Sequence, residues 1–229
     1  MPRPNDIKPS VTFSRLWKIV LLAFFTGFSG AMMPGPFLVA VIKQTPVQGM
    51  EAPMIMMVGH ALLELAIVVL LVLGLRPIIA KVRFRAAVGL IGGAAMIYMG
   101  YDMLAHECAL PLSLGAQAAA YSWPRLMLMG VVISGAYPYF IGWWTTIGVG
   151  QMAHMSPRTR TEYFGFYFGH ELADFSWYGF VGVLLTTGAR WLTDGIYRGL
   201  ILFCGSVLLL LGVWFFLTGV KLIRGKARS

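Results

Sequence analysis

Long apolar blocks dominate the chain. Residues 19–42, 126–152 and 199–220 contain no Asp, Glu, Lys or Arg, and residues 86–101 form a shorter charge-free block that its neighbours extend. A bilayer's hydrocarbon core of about 30 Å is crossed by about 20 apolar residues in a helix. Two more blocks, 53–75 and 163–189, are as apolar except for His60 with Glu64 in one, and His170 with Glu171 and Asp174 in the other. The pattern predicts an all-α integral membrane protein of six spans, near residues 19–42, 53–75, 85–104, 126–152, 163–189 and 199–220. The first block is too long for a cleaved leader and has no small-residue cleavage site, so it is expected to stay in the protein.

The spans echo one another in order. Ser29-Gly30-Ala31 before Pro34-Gly35-Pro36 returns as Ser134-Gly135-Ala136 before Pro138-Tyr139-Phe140. Gly59-His60 with Glu64 returns as Gly169-His170 with Asp174 at the same internal spacing, and Gly93 with Gly100 returns as Gly205 with Gly212. Two repeats follow, 1–105 and 106–229. Each holds an odd number of spans, so the second enters the membrane from the opposite side, the inverted-repeat plan of many transporters. The glycines seven apart allow close helix approach and suggest, where exposed, a homodimer.

Composition adds that 58% of residues are apolar and 12% charged, against about 25% charged in soluble domains. The net charge of +9 invites a nucleic-acid reading, but its distribution removes it. With the N-terminus inside, only Lys43, Arg125, Arg190 and Arg198 of the 18 Lys and Arg residues fall outside. The excess is therefore topological: an inner-membrane protein with both termini cytoplasmic. Cys108 and Cys204 form no paired motif and read as packing residues. No nucleophile motif, paired cysteines or haem-attachment signature points to an enzyme.

The candidate chemistry lies in the echoed positions. Pro34, Gly35 and Pro36 interrupt the first span and Pro138 the fourth. Interrupted spans in corresponding places of two halves point to a solute site, because freed backbone groups at membrane depth are tolerated only beside protein or a cavity. His60 and Glu64 share a helix face, as do His170 and Asp174, whereas Glu171 is rotated away from its pair. Both acids lie about 16 Å into their spans, near mid-membrane. Intramembrane ionisable groups mark binding sites or proton relays. Glu64 and Asp174 are expected to hold a substrate ammonium or the coupling proton, with His60 and His170 relaying protons in a ladder across the membrane. The same two imidazoles and two carboxylates would alternatively suit a divalent metal ion at the pseudo-twofold axis. Trp143 and Trp144 lie deeper than an interfacial belt and either wall the cavity or pack.

On Pro34-Gly35-Pro36, the following loop with Gly49, Gly59-His60 with Glu64, Pro138-Tyr139-Phe140 and Gly169-His170-Glu171, the chain resembles the LysE/RhtB family of amino-acid exporters over both halves. The resemblance implies a six-helix exporter of amino acids or related small metabolites, coupled to a proton or another cation, with membrane lipid around it and no bound cofactor. Many relatives carry several basic residues after the first span, where this chain has only Lys43 beside Glu51. The wider superfamily also contains metal-ion transporters, so the metal alternative stays open at this point.

Overall fold

Proline sets the first departure from straight helices. A computed structural model describes residues 13–74, 81–106, 120–187 and 193–226. In it α1 (Phe13–Ala31) stops before Pro34, and α2 (Pro36–Gln48) sets off at 83° to it. The fourth block behaves alike: α5 (Trp123–Ala136) ends, and α6 (Pro138–Trp143) resumes at 63°. Pro36 and Pro138 are each the first residue of the new helix, where a missing N–H costs nothing, and the residues before them take extended backbone. The prolines thus begin half-helices; they are not kinks inside continuous spans. After α6 comes a π-helical turn, Trp144–Gly148, which no sequence pattern announced, and then α7 (Val149–Met155).

The remaining helices are α3 (Glu51–Val72), α4 (Val82–Ala105), α8 (Arg160–Thr187) and α9 (Asp194–Lys226), and the described residues contain no strand. Three of them, α3, α4 and residues 194–224 of α9, are long and apolar enough to cross a membrane, and each bent pair would add one span. That makes up to five, against six expected. The missing one is α8, whose 28 residues reach about 42 Å but whose Glu162, Glu171 and Asp174 lower its apolarity. Outward faces are apolar, with Ile91 72% and Leu210 71% exposed, as hydrocarbon surroundings require.

Packing crosses between the halves. α1 lies on α8, α5 lies on α3, and α4 pairs with α9. The echoed glycines make these approaches possible: Gly59 faces the Met127 carbonyl, and Gly169 faces the Val20 carbonyl. A Cβ on Gly93 would stand 2.9 Å from the Gly212 carbonyl oxygen, and one on Gly100 would stand 2.7 Å from that of Gly205. These glycine faces are consumed within the chain, so the homodimer expected from them loses its surface. Cys204 is buried in the core, and Cys108 lies outside the described residues. At the start of α1, Arg15 Nε donates to Glu162 Oε1 at 2.7 Å, and its Nη2 donates to the Ser156 carbonyl at 2.9 Å, tying α1 to the turn before α8.

If these close approaches hold the halves together, adding one methyl must be felt where a backbone carbonyl opposes it and not elsewhere. Gly59→Ala is expected to lower stability by about 1–3 kcal/mol. Gly142→Ala, where a Cβ meets nothing within 4 Å, is expected to leave it unchanged. Thermal unfolding of the two variants in detergent makes the comparison, and equal shifts would defeat the close-approach account.

Candidate functional site

The echoed ionisable residues meet. α3 and α8 bring His60, Glu64, His170 and Asp174 together at the level of the helix breaks. His60 Nε2 lies 3.2 Å from Glu64 Oε1 and 3.8 Å from Asp174 Oδ2. His170 Nε2 lies 3.2 Å from Glu64 Oε2 and 3.4 Å from Asp174 Oδ2. The expected ladder is therefore a compact cluster. The reason is that α3 and α8 pack directly on each other, while Gly59 and Gly169, each next to its histidine, admit α5 and α1 on the flanks.

Both Nε2 atoms face carboxylate oxygens, and one of these contacts has hydrogen-bond geometry, His170 Nε2 to Glu64 Oε1 at 3.3 Å. His60 Nδ1 pairs with Ser134 Oγ at 2.7 Å, whereas His170 Nδ1 has no partner. Trp144 Nε1 donates to Glu64 Oε1 at 3.0 Å, from the start of the π-helical turn. Rings enclose the imidazoles. Phe37 and Phe140 lie 5.3 and 5.4 Å from His60, and Trp143 and Trp144 lie 4.6 and 5.0 Å from His170. Of the two open readings of the tryptophans, the structure takes the wall.

The cluster lines a cleft of about 510 Å³ with Gly30, Ala31, Met33, Gly35, Tyr137, Tyr139 and Tyr178 among its other walls. Gly35 is thus in contact with the cleft; Pro34, Pro36 and Pro138 shape the breaks without lining it. The breaks are stitched together by phenols and an indole. Tyr137 Oη donates to the Pro34 carbonyl at 3.3 Å, Tyr139 Oη to the Ser29 carbonyl at 2.9 Å, and Trp143 Nε1 to Ser29 Oγ at 3.0 Å. Carbonyls released by the break are thereby satisfied.

Glu171, set aside in the sequence because it points away from its helix neighbours, is also buried, at 6% exposure, and neither of its oxygens has a hydrogen-bond partner. It sits behind the cleft and interacts electrostatically with Glu64 and Asp174. No Lys or Arg lines the cleft among the described residues. Three carboxyl groups are thus set against two imidazoles, so at least one carboxyl has no imidazole to neutralise it and must hold a proton or a bound cation at this depth. Tyr178, four residues after Asp174 and so on the same face, could have been found by spacing. Tyr137, Ser134 and Glu171 carried no such signal of their role.

His60, Glu64 and Asp174 can each offer a ligand atom within 4.8 Å of the others. A metal there would need the lone pair of His60 Nε2 bare, with the ring hydrogen on Nδ1 toward Ser134. The enclosing rings present π faces, which suit an organic cation better than a hydrated metal ion.

Because Trp144 donates to a carboxylate and Trp143 to a neutral hydroxyl, their phenylalanine variants should differ. Trp144→Phe is expected to cost about 1.5–3 kcal/mol and Trp143→Phe about 0.5–1.5 kcal/mol. Thermal unfolding in detergent ranks them, and the reverse order would show that Glu64 does not depend on that indole.

No curated protein matches the chain, and no solved structure does. The family model of the LysE type translocator matches residues 28–219, a stretch that holds both helix breaks and the whole cluster. A match over most of the length, carrying every residue of the cleft, settles the family: the chain belongs to the LysE type translocators.

Proposed function

We propose that the chain exports an amino acid or a similarly small ammonium-bearing metabolite across the cytoplasmic membrane, in exchange for a proton. The observation that carries this reading is the buried cluster of Glu64, Asp174, His60 and His170 in an aromatic cleft, with Glu171 buried beside it as a third carboxyl that, among the described residues, no Lys or Arg accompanies in the cleft lining. A site of that composition is complementary to an ammonium group when loaded and to a proton when empty, and the two compete for the same negative charge. Such competition is what an antiporter needs. Membership in a family of translocators supports transport over enzymatic chemistry.

In this reading Glu64 and Asp174 hold the ammonium, with Phe37, Phe140, Trp143 and Trp144 around it. The first N–H groups at the start of α2, at Gly35 and Phe37, have no intrahelical acceptors and lie at the positive end of that helix dipole, suited to the substrate carboxylate. His60 and His170 pass protons between the carboxylates.

The architecture that goes with it has six spans in two inverted halves, 1–105 and 106–229, with α8 as the fifth. Its support is the crossed packing, in which α1 meets α8 as α5 meets α3, and the matched half-helices at Pro36 and Pro138. The basic residues place both termini in the cytoplasm. Rocking of the halves about the stitched breaks would open the cleft to each side in turn.

The test uses purified protein in liposomes, labelled lysine, arginine, threonine and leucine, and Zn²⁺ and Mn²⁺, with and without a pH gradient. At least one amino acid should move with the gradient. Glu64→Gln should slow it about a hundredfold or more, the effect of breaking a buried charge pair. Glu171→Gln, which removes the third carboxyl, should abolish gradient-driven accumulation while leaving exchange between two filled compartments. Movement of metal ions alone, or amino-acid transport untouched by Glu64→Gln, would overturn the reading.

A further inference from the structure

A second and larger cavity, about 1150 Å³, runs beside the cleft between α6 with its π-helical turn and the α4–α9 pair. Its walls are hydrocarbon and rings, chiefly Ile141, Ile147, Leu211, Trp214, Phe215 and Leu222. Three threonines also line it, but their hydroxyls are committed within their own helices: Thr145 to the Ile141 carbonyl at 2.8 Å, Thr146 to that of Gly142 at 2.6 Å, and Thr218 to that of Trp214 at 2.8 Å. A polar solute lying along these walls would leave its own groups unpaired.

One charged residue lines the groove, Arg85, near the start of α4. α4 and α9 pack antiparallel, with Gly219 against the Ala86 carbonyl, so the start of one lies beside the end of the other. Lys81, Arg83, Lys221 and Arg224 are exposed at that same end. The described acidic residues of the two helices, Asp102 and Asp194, lie at the opposite end. From Leu211 to Leu222 the groove follows α9 for about 16 Å, half of a hydrocarbon core of about 30 Å, which is the depth of one leaflet.

We propose that this groove binds an anionic phospholipid of the leaflet at the basic ends of α4 and α9, its acyl chain against Leu211, Trp214 and Phe215 and its phosphate on Arg85. An occupant that is apolar along its length and anionic at one end satisfies both the walls and the mouth. A second copy of this chain fits poorly, because in a shared membrane it would bring its own basic helix ends to the same depth. The proposal does not depend on what the cleft carries.

The full-length protein is purified in detergent, mixed with equal amounts of phosphatidylglycerol and phosphatidylcholine, and weighed by native mass spectrometry. Phosphatidylglycerol should be retained in preference. Arg85→Gln, on an exposed side chain, should cut that preference about fivefold. Gly142→Leu, which grows into open space in the groove, should remove bound lipid of both kinds. Equal retention of the two lipids, or a preference that both variants leave intact, would overturn the proposal. So would a lipid-free dimer that Gly142→Leu dissolves, which would give the groove to a second copy.

Discussion

Two imidazoles cannot neutralise three ionised carboxylates, and among the described residues no Lys or Arg side chain lines the cleft to help. A bare buried charge is costly enough that the fold must supply it with a cation, by protonation or by binding one. Much of the surrounding structure follows from that constraint. Trp144 opens a π-helical turn, a local underwinding of the kind often found at functional sites, and donates to Glu64. Ser134 pairs with one ring nitrogen of His60, while the equivalent nitrogen of His170 has no partner, and Ser29, the residue that echoes Ser134, accepts from Trp143. The two halves are alike in outline and unequal in detail, so their histidines need not behave alike.

The helix breaks pose the second constraint. Interrupting a span frees backbone groups where no water reaches them, and each needs a partner. Here the partners come across the midline: Tyr137 and Tyr139, from the second break, donate to the Pro34 and Ser29 carbonyls of the first. The breaks therefore stabilise one another, and the cleft lies where they meet. Holding the breaks together by two phenols and an indole, instead of by buried aliphatic packing, leaves contacts that can part and reform without exposing apolar surface.

What could be read from the sequence was what repeats. The paired His and acid spacings, the doubled proline breaks and the glycines seven apart were visible as patterns, and the structure uses each of them at a contact. The angle between half-helices was not readable, since proline says where a helix stops and not where the next one goes. Nor was the clustering of all four ionisable residues, which depends on the packing of α3 on α8 that only the fold displays. Glu171 was misjudged for a specific reason. Helical spacing describes neighbours on its own helix, whereas α1 and α3 bury it from outside. The partner of the α4 glycine face was not readable either, because a small-residue face announces a partner without saying that the partner is α9 of the same chain.

The cleft and the lateral groove are separated by shared side chains. Met33, Tyr139 and Trp143 line both, and the latter two are held in place by single hydrogen bonds to Ser29. A hydrocarbon chain in the groove would press on the outer faces of the same rings whose inner faces close the cleft. Swinging either ring away from Ser29 would join the two spaces, at the cost of a hydrogen bond of about 0.5–1.5 kcal/mol. Trp143 is also buried in the core and would lose its packing, so the partly exposed Tyr139 is the easier of the two rings to displace. Whatever fills the groove then bears on how readily the cleft opens on that side, through contact alone and with no longer path through the helices.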